Sequence, residues 1–225
     1  MALGLNLGGV GGRDFLPIIK YDARAGRMFR VDREDGVPVP HDITKNFRAV
    51  FDFENLEVGY IHFAAGSPPS YVMVPLGQPL PTSPSPEHKQ GLRMCVKLSG
   101  DIGGDVRELS GNSSAFLTGI DALHTEYEAG KVSNAGKLPV VALADTLAIE
   151  SKGQGQKSTN YRPVFQIIAW VDRPKDLVAS PRGSTEPKAI PNWATPAQPP
   201  ATGNVRAVAP VGRTPEPISN DLDFG

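Results

Sequence analysis

The composition of the chain changes at Ala179, and this change limits the part that can fold. Nine of the 47 residues from Ala179 onward are Pro, and the large apolar side chains there are isolated from one another. Such a stretch cannot bury enough apolar surface to offset the entropy that ordering costs. The sequence therefore predicts a domain over residues 1–178 and a disordered tether over residues 179–225. Trp193 is an exception in the tether, and it either packs on the domain or remains an exposed contact point.

Apolar and polar residues alternate in several short segments of the domain, which is the pattern of half-buried β-strands. Residues 47–53 and 58–63 are predicted to form a hairpin, and residues 91–98 and 161–171 two further strands. Only residues 113–130 have helical spacing of their apolar side chains. The sequence predicts a mainly β fold, either an OB-like closed barrel or a sandwich. One helix between two groups of strands favours the OB-like barrel, whose end such a helix plugs.

The charge of the whole chain excludes a global basic field. The formal net charge is −1, so a surface for nucleic acid would have to arise from local clustering. One such cluster extends from Lys20 to Arg33, where five basic residues accompany only Asp22 and Asp32. The sequence is therefore compatible with a local binding surface for a polyanion, although the net charge of the chain does not indicate one.

Cysteine and histidine content excludes several kinds of site. A single cysteine, Cys95, cannot form an internal disulfide, and it is predicted to be a small strand residue. The histidines lack the spacing of metal ligands; they are His41, His62, His88 and His124. We expect no metal and no cofactor. No signal peptide and no membrane span is predicted, so we expect a cytoplasmic protein.

A glycine-rich loop over residues 153–159 superficially resembles a phosphate-binding P-loop. That motif needs Gly directly before its Lys and a helix after it, whereas Gln156 precedes Lys157 and a β-rich run follows. The loop is therefore either a hairpin tip whose lysines and backbone amides contact a phosphate chain, or a solvated turn. An enzyme of nucleotide or DNA metabolism that uses Lys157 ranks last among the hypotheses, and we expect a non-enzymatic protein.

Aromatic and basic residues interleave along the predicted strands. Proteins that hold single-stranded nucleic acid combine rings that stack on bases with cations that follow the phosphates. Tyrosine and tryptophan suit this role because they keep a polar edge in water, whereas Phe47 and Phe165 are predicted to be core residues. The candidate nucleic-acid-binding residues are Arg48, Tyr60, Tyr71, Arg93, Lys97, Lys152, Lys157, Tyr161, Arg162, Trp170 and Arg173.

The segment Asp221-Leu222-Asp223-Phe224 joins two carboxylates to one large aromatic ring at the far end of the tether. Carboxylates suit a basic rim and a phenyl ring fills an apolar pocket, so Asp221, Leu222, Asp223 and Phe224 are candidate partner-binding residues. With a β-rich body and a Pro-rich tether, this segment resembles the single-stranded DNA-binding proteins of bacteria and their phages.

That resemblance implies an OB barrel that binds single-stranded DNA and an acidic tip that recruits replication, recombination or repair proteins. It predicts a phage-encoded, non-enzymatic protein of the host cytoplasm, with homo-oligomerisation left open. The alternative is a virion structural or assembly protein with a β-sandwich body and a disordered arm. That alternative equally explains the near-neutral charge and the long loops.

Overall fold

The computed structural model describes residues 16–64, 66–153 and 156–178, and for residues 151–153, 156 and 157 it describes the backbone alone. The described part contains ten strands and one α-helix, α1 (Ser114–Lys131). The strands are β1 (Ile18–Asp22), β2 (Arg27–Glu34), β3 (Val37–Asp42), β4 (Arg48–Phe51), β5 (Glu57–His62), β6 (Ser70–Pro75), β7 (Lys89–Leu98), β8 (Val106–Gly111), β9 (Lys137–Gly153) and β10 (Gln156–Asp172). The prediction of a mainly β fold with one helix between groups of strands is confirmed for these residues.

All ten strands belong to one sheet. Its main path runs β10-β9-β4-β7-β8-β1-β2-β3, while β5 pairs with β7 and β6 pairs with β5. The pair β1–β8 is parallel, with Ile18 opposite Glu108, and the other pairs are antiparallel. The N-terminal strand therefore pairs with a strand formed much later in the chain.

The predicted hairpin between residues 47–53 and 58–63 is wrong. β4 and β5 do not pair with each other, because both pair with β7: Ala49 lies opposite Leu98, and Glu57 lies opposite Arg93. A 3₁₀ turn at Phe53–Asn55 bends the chain between them without reversing it. β4 and β5 therefore run in the same direction along the same edge of β7, like one strand with a kink between its two halves.

The hydrophobic core lies between the sheet and α1. Phe47, Ala49, Phe51 and Phe53 are all buried, as are Leu92, Met94, Val96, Leu98 and Phe165. The helix contributes Phe116, Ile120, Leu123 and Tyr127. Full burial of a side chain of this size contributes about 1.5–3 kcal/mol, so this cluster is the main source of stability. The alternation in the sequence assigned these faces correctly.

Capping and close packing fix the position of the helix. The Ser113 hydroxyl accepts a hydrogen bond from the Phe116 N–H at 3.3 Å, as expected of an N-cap residue. Gly119 lies so close to β10 that a Cβ atom there would be 2.6 Å from the Pro163 carbonyl oxygen. The helix and β10 therefore approach at backbone distance, which any larger residue at position 119 would prevent.

β9 and β10 form a longer hairpin than the sequence predicted. The sequence predicts a loop over residues 153–159, but β9 continues to Gly153 and β10 begins at Gln156. The hairpin contains a register shift, since Val164 pairs with Asp145 and Phe165 pairs with Leu143. Residues 161–171 are apolar on both faces, which predicts a central strand, but the strand order places β10 at one end of the sheet path.

Candidate nucleic-acid interface

Arg93 and Lys97 lie on the outward-facing side of β7, and a carboxylate of the chain neutralises each of them. Arg93 Nε donates to the Glu57 carboxylate at 2.7 Å, and only 12% of the Arg93 side chain is exposed. Lys97 Nζ forms an ion pair with Asp176 and also donates to the Gly104 carbonyl oxygen at 3.0 Å. A phosphate at either cation would have to displace an existing anionic partner.

Arg173 fastens the segment 173–178, which we call the strap, to the domain. Its two terminal nitrogens donate to the two carboxylate oxygens of Asp52, each at 2.7 Å, and one also donates to Glu54 at 2.7 Å. Asp52 is completely buried. Its hydrogen bonds raise the pKa of Arg173 further above the already high ordinary value. This bidentate geometry is that of a structural ion pair.

A small apolar cluster covers the middle of the outward side of β7. It consists of Cys95, Leu138 and Leu177, with Leu16 packed against it. Leu177 belongs to the strap and is fully buried, and its carbonyl oxygen accepts a hydrogen bond from Arg173 at 3.0 Å. Burial, with the charge of nearby carboxylates, raises the pKa of the Cys95 thiol to about 11. The thiol therefore stays protonated near neutral pH, and this part of β7 is closed by the chain itself.

Tyr71 crosses from β6 to the Arg93 guanidinium. The Arg93 Cζ atom lies 5.0 Å from the centroid of the Tyr71 ring, which is a cation–π contact. The Tyr71 hydroxyl donates to the Glu108 carboxylate at 3.0 Å. Phe63 contacts the same ring edge-on at 6.4 Å between centroids, and 47% of Phe63 is exposed. Phe63 is not among the candidates that the sequence predicts, and its position two residues after buried Ile61 indicates the core face, so its exposure is seen only in the structure.

Trp170, Tyr60 and Arg48 differ in how far they remain available to a ligand. The Trp170 ring stacks on Tyr127 of α1, with 5.7 Å between centroids and 24° between planes. It is therefore engaged in packing the helix on β10. Tyr60 is half-buried on β5, opposite Gln90. Arg48 is exposed on β4 and forms no ion pair with another described residue.

The β9–β10 hairpin carries the other four candidates. We call residues 145–153 and 156–164 the arm, because within the described residues this part of each strand has only the other as a strand partner. The register places Lys157 directly opposite Lys152. Tyr161 and Arg162 are half-buried nearer the base of the arm, and Arg162 forms no ion pair with another described residue.

The turn between β1 and β2 lies against the base of the arm. The Tyr161 N–H donates to the Ala23 carbonyl oxygen at 2.6 Å, and the Tyr21 hydroxyl donates to the Tyr161 carbonyl oxygen at 3.0 Å. Burial, and to a smaller extent the charge of Asp22, raises the pKa of Tyr21 to about 12. The basic cluster of Lys20 to Arg33 and the arm were separate features in the sequence, and the fold brings them together.

Several sequence predictions fall outside the described residues. These include the tether 179–225, Trp193 and the partner-binding candidates Asp221, Leu222, Asp223 and Phe224. Within the described ranges, no group of three or more metal-ligating side chains is arranged to hold a metal ion. No helix in that part of the chain has both the length and the apolar content of a membrane span.

Comparison with known proteins identified no relative. No protein-family model, no curated protein and no solved structure matches the chain.

Proposed function

We propose that the protein binds single-stranded DNA without sequence preference and without catalysing a reaction, through an OB-like barrel whose arm contacts the nucleic acid. In an OB barrel the first strand pairs with the second and the fourth, and the helix lies between the third and the fourth. We match this order as follows: the kinked β4–β5 pair is the first strand, β7 and β8 are the second and third, and β9 and β10 are the fourth and fifth. The helix α1 lies between β8 and β9 in the chain. β1 takes a place beside β8, on the side where a fifth strand would close the barrel.

The observation that carries this proposal is the position of the arm. Oligonucleotides bind OB folds on the face of the second and third strands and at the loops after the first and fourth strands. In the proposed correspondence the arm is the connection between the fourth and fifth strands, and it carries Lys152, Lys157, Tyr161 and Arg162. One ring and three cations on a single hairpin suit stacking on a base together with contacts to phosphates.

The salt dependence of binding to an oligothymidine tests the proposal. Each phosphate contact to a single strand contributes a slope of about −0.7 in log K against log salt. Four contacts would weaken binding about 50-fold between 50 and 200 mM salt. Fluorescence anisotropy of a labelled oligothymidine measures this directly. A chain that fails to bind at 50 mM salt would instead favour a virion structural or assembly protein, which the neutralised cations of β7 also suit.

We also propose that residues 221–224 recruit replication or recombination proteins, as the resemblance to the bacterial and phage family implies. Deleting residues 220–225 should leave affinity for single-stranded DNA unchanged or stronger, because no cation is removed. The same deletion should abolish the capture of partner proteins. Weaker DNA binding after the deletion would contradict this role.

A further inference from the structure

The β1–β2 turn is fixed in place by its own hydrogen bonds. The Asp22 carboxylate accepts from the N–H groups of Arg24 at 2.9 Å and Ala25 at 3.2 Å. The Gly26 N–H donates to the Asp22 carbonyl oxygen at 2.8 Å. These bonds hold the backbone on both sides of Arg24, so the position of its Cα atom is well defined.

The same turn is seated against both strands of the arm. Gly26 has a φ of +66°, which favours glycine, and a Cβ atom there would be 3.0 Å from Tyr161 Cβ. It would also be 3.3 Å from the hydroxyl oxygen of Thr146 on β9. The turn therefore has a fixed place at the base of the arm, next to the ring of Tyr161.

The five cations of the N-terminal basic cluster fall into two groups. Arg27 is paired with Asp42, and Arg30 with Asp32 at 2.8 Å. Lys20, Arg24 and Arg33 are exposed, and none of the three forms an ion pair with another described residue. Of the three, Arg24 alone is in the turn that contacts the arm.

We infer that the β1–β2 turn forms the second side of the nucleic-acid site and that Arg24 binds a phosphate of the single strand there. The inference rests on the function proposed above. The guanidinium offers paired N–H donors that match a phosphate. Tyr161, whose N–H donates to the neighbouring Ala23 carbonyl oxygen, provides a ring on which a base can stack. The strand would then pass between the turn and the arm, with Arg162 as a further cation.

Arg24→Ala tests this assignment, with Arg33→Ala as the matched control. Both arginines are exposed members of one basic cluster. Arg33, however, lies at the opposite end of β2, where its neighbour on β3 is Pro38. Loss of one phosphate contact should weaken oligothymidine binding about eightfold at 50 mM salt and about threefold at 200 mM, and reduce the salt slope by about 0.7. Arg33→Ala should bind within about twofold of the unmodified chain and keep its slope.

The outcomes separate the inference from the proposed function. If the unmodified chain binds oligothymidine and the two variants bind equally well, the role of Arg24 is wrong while the function stands. If the unmodified chain does not bind at 50 mM salt, the proposed function fails and the inference fails with it. Equal urea unfolding midpoints for the two variants would show that any difference in affinity arises at the binding surface.

Discussion

The outward side of β7 and the base of the arm both combine tyrosine with arginine or lysine, but they differ in how their charges are balanced. On β7, Arg93 and Lys97 each have a carboxylate partner within the chain. At the arm, Arg24 and Arg162 form no ion pair with another described residue. The same residue types are therefore ion-paired in one place and, among the described residues, not ion-paired in the other. Composition alone does not distinguish these two uses.

Removal of Arg173 should have the largest effect in this comparison, and the effect should be on stability. Arg173→Ala would leave the buried Asp52 carboxylate without its cation, which costs about 3 kcal/mol of the free energy of unfolding. Arg173→Lys keeps the charge but loses the bidentate geometry, so a smaller loss is expected. Urea unfolding measures both.

The exposed Lys175 of the same strap provides the control for Arg173. Lys175→Ala should change the free energy of unfolding by less than about 0.5 kcal/mol. An Arg173→Ala variant with unaltered stability and weakened oligothymidine binding would place Arg173 in the interface instead. An ion-paired arginine would then also contact DNA, and ion pairing would not separate the two regions by function.

Arg162→Ala and Lys97→Ala compare the two regions through DNA affinity. Arg162→Ala should weaken oligothymidine binding about eightfold at 50 mM salt, as expected for loss of one phosphate contact. Lys97→Ala should change affinity less than about twofold, because Asp176 already neutralises Lys97. The hydrogen bond from Lys97 lowers the pKa of Asp176, so this neutralisation persists into acidic solution. Equal losses of oligothymidine affinity for the two variants would contradict the proposed difference between the arm and β7.

The smallest expected effect concerns the contact of Tyr21 with the arm. Tyr21→Phe removes one hydrogen bond to the Tyr161 carbonyl oxygen, which costs about 1 kcal/mol of the free energy of unfolding near neutral pH. The pKa of Tyr21 is about 12 in the folded chain and about 10 when unfolded. The unfolded state therefore loses its proton first, and the stability that Tyr21 contributes falls as the pH rises from 10 to 12.

Urea unfolding of both proteins at pH 8, 10 and 11.5 measures this contribution. The stability advantage of the unmodified chain over Tyr21→Phe should be present at pH 8 and shrink above pH 10. A constant advantage across that range would mean that burial does not raise the pKa of Tyr21 in the folded chain. Comparing the two proteins at each pH removes the effect of other groups that titrate in the same range.

Local patterns predicted the faces of the core strands and the helix, because alternation and 3.6-residue spacing are properties of neighbouring residues. They did not predict β3, whose Pro38 and Pro40 are atypical of strands. Nor did they predict β8, in which Arg107 and Glu108 are charged and yet buried. A charged buried strand is recognisable only once its distant partners are known.

The sequence indicated which residue types the candidate site contains. It did not indicate which of those residues lie close together in the fold. Arg173 was proposed to bind DNA, but its partner Asp52 is 121 positions away, and no local pattern reports a pairing over that distance. Arg24 was noted only as a member of a basic cluster, because its nearness to Tyr161 depends on the complete sheet. Long-range contacts therefore determine which of the cations form ion pairs within the described residues.

The contact between the N-terminal turn and β10 has a consequence for biosynthesis. Tyr21 and Tyr161 are 140 positions apart, and a ribosome adding about 5–20 residues per second needs roughly 7–28 seconds to make the second after the first. During that interval β1 lacks the arm, and until residues 106–111 are made it lacks β8 as well. The growing chain therefore exposes an incomplete sheet edge until translation is well advanced, and this is the period in which a chaperone would matter most.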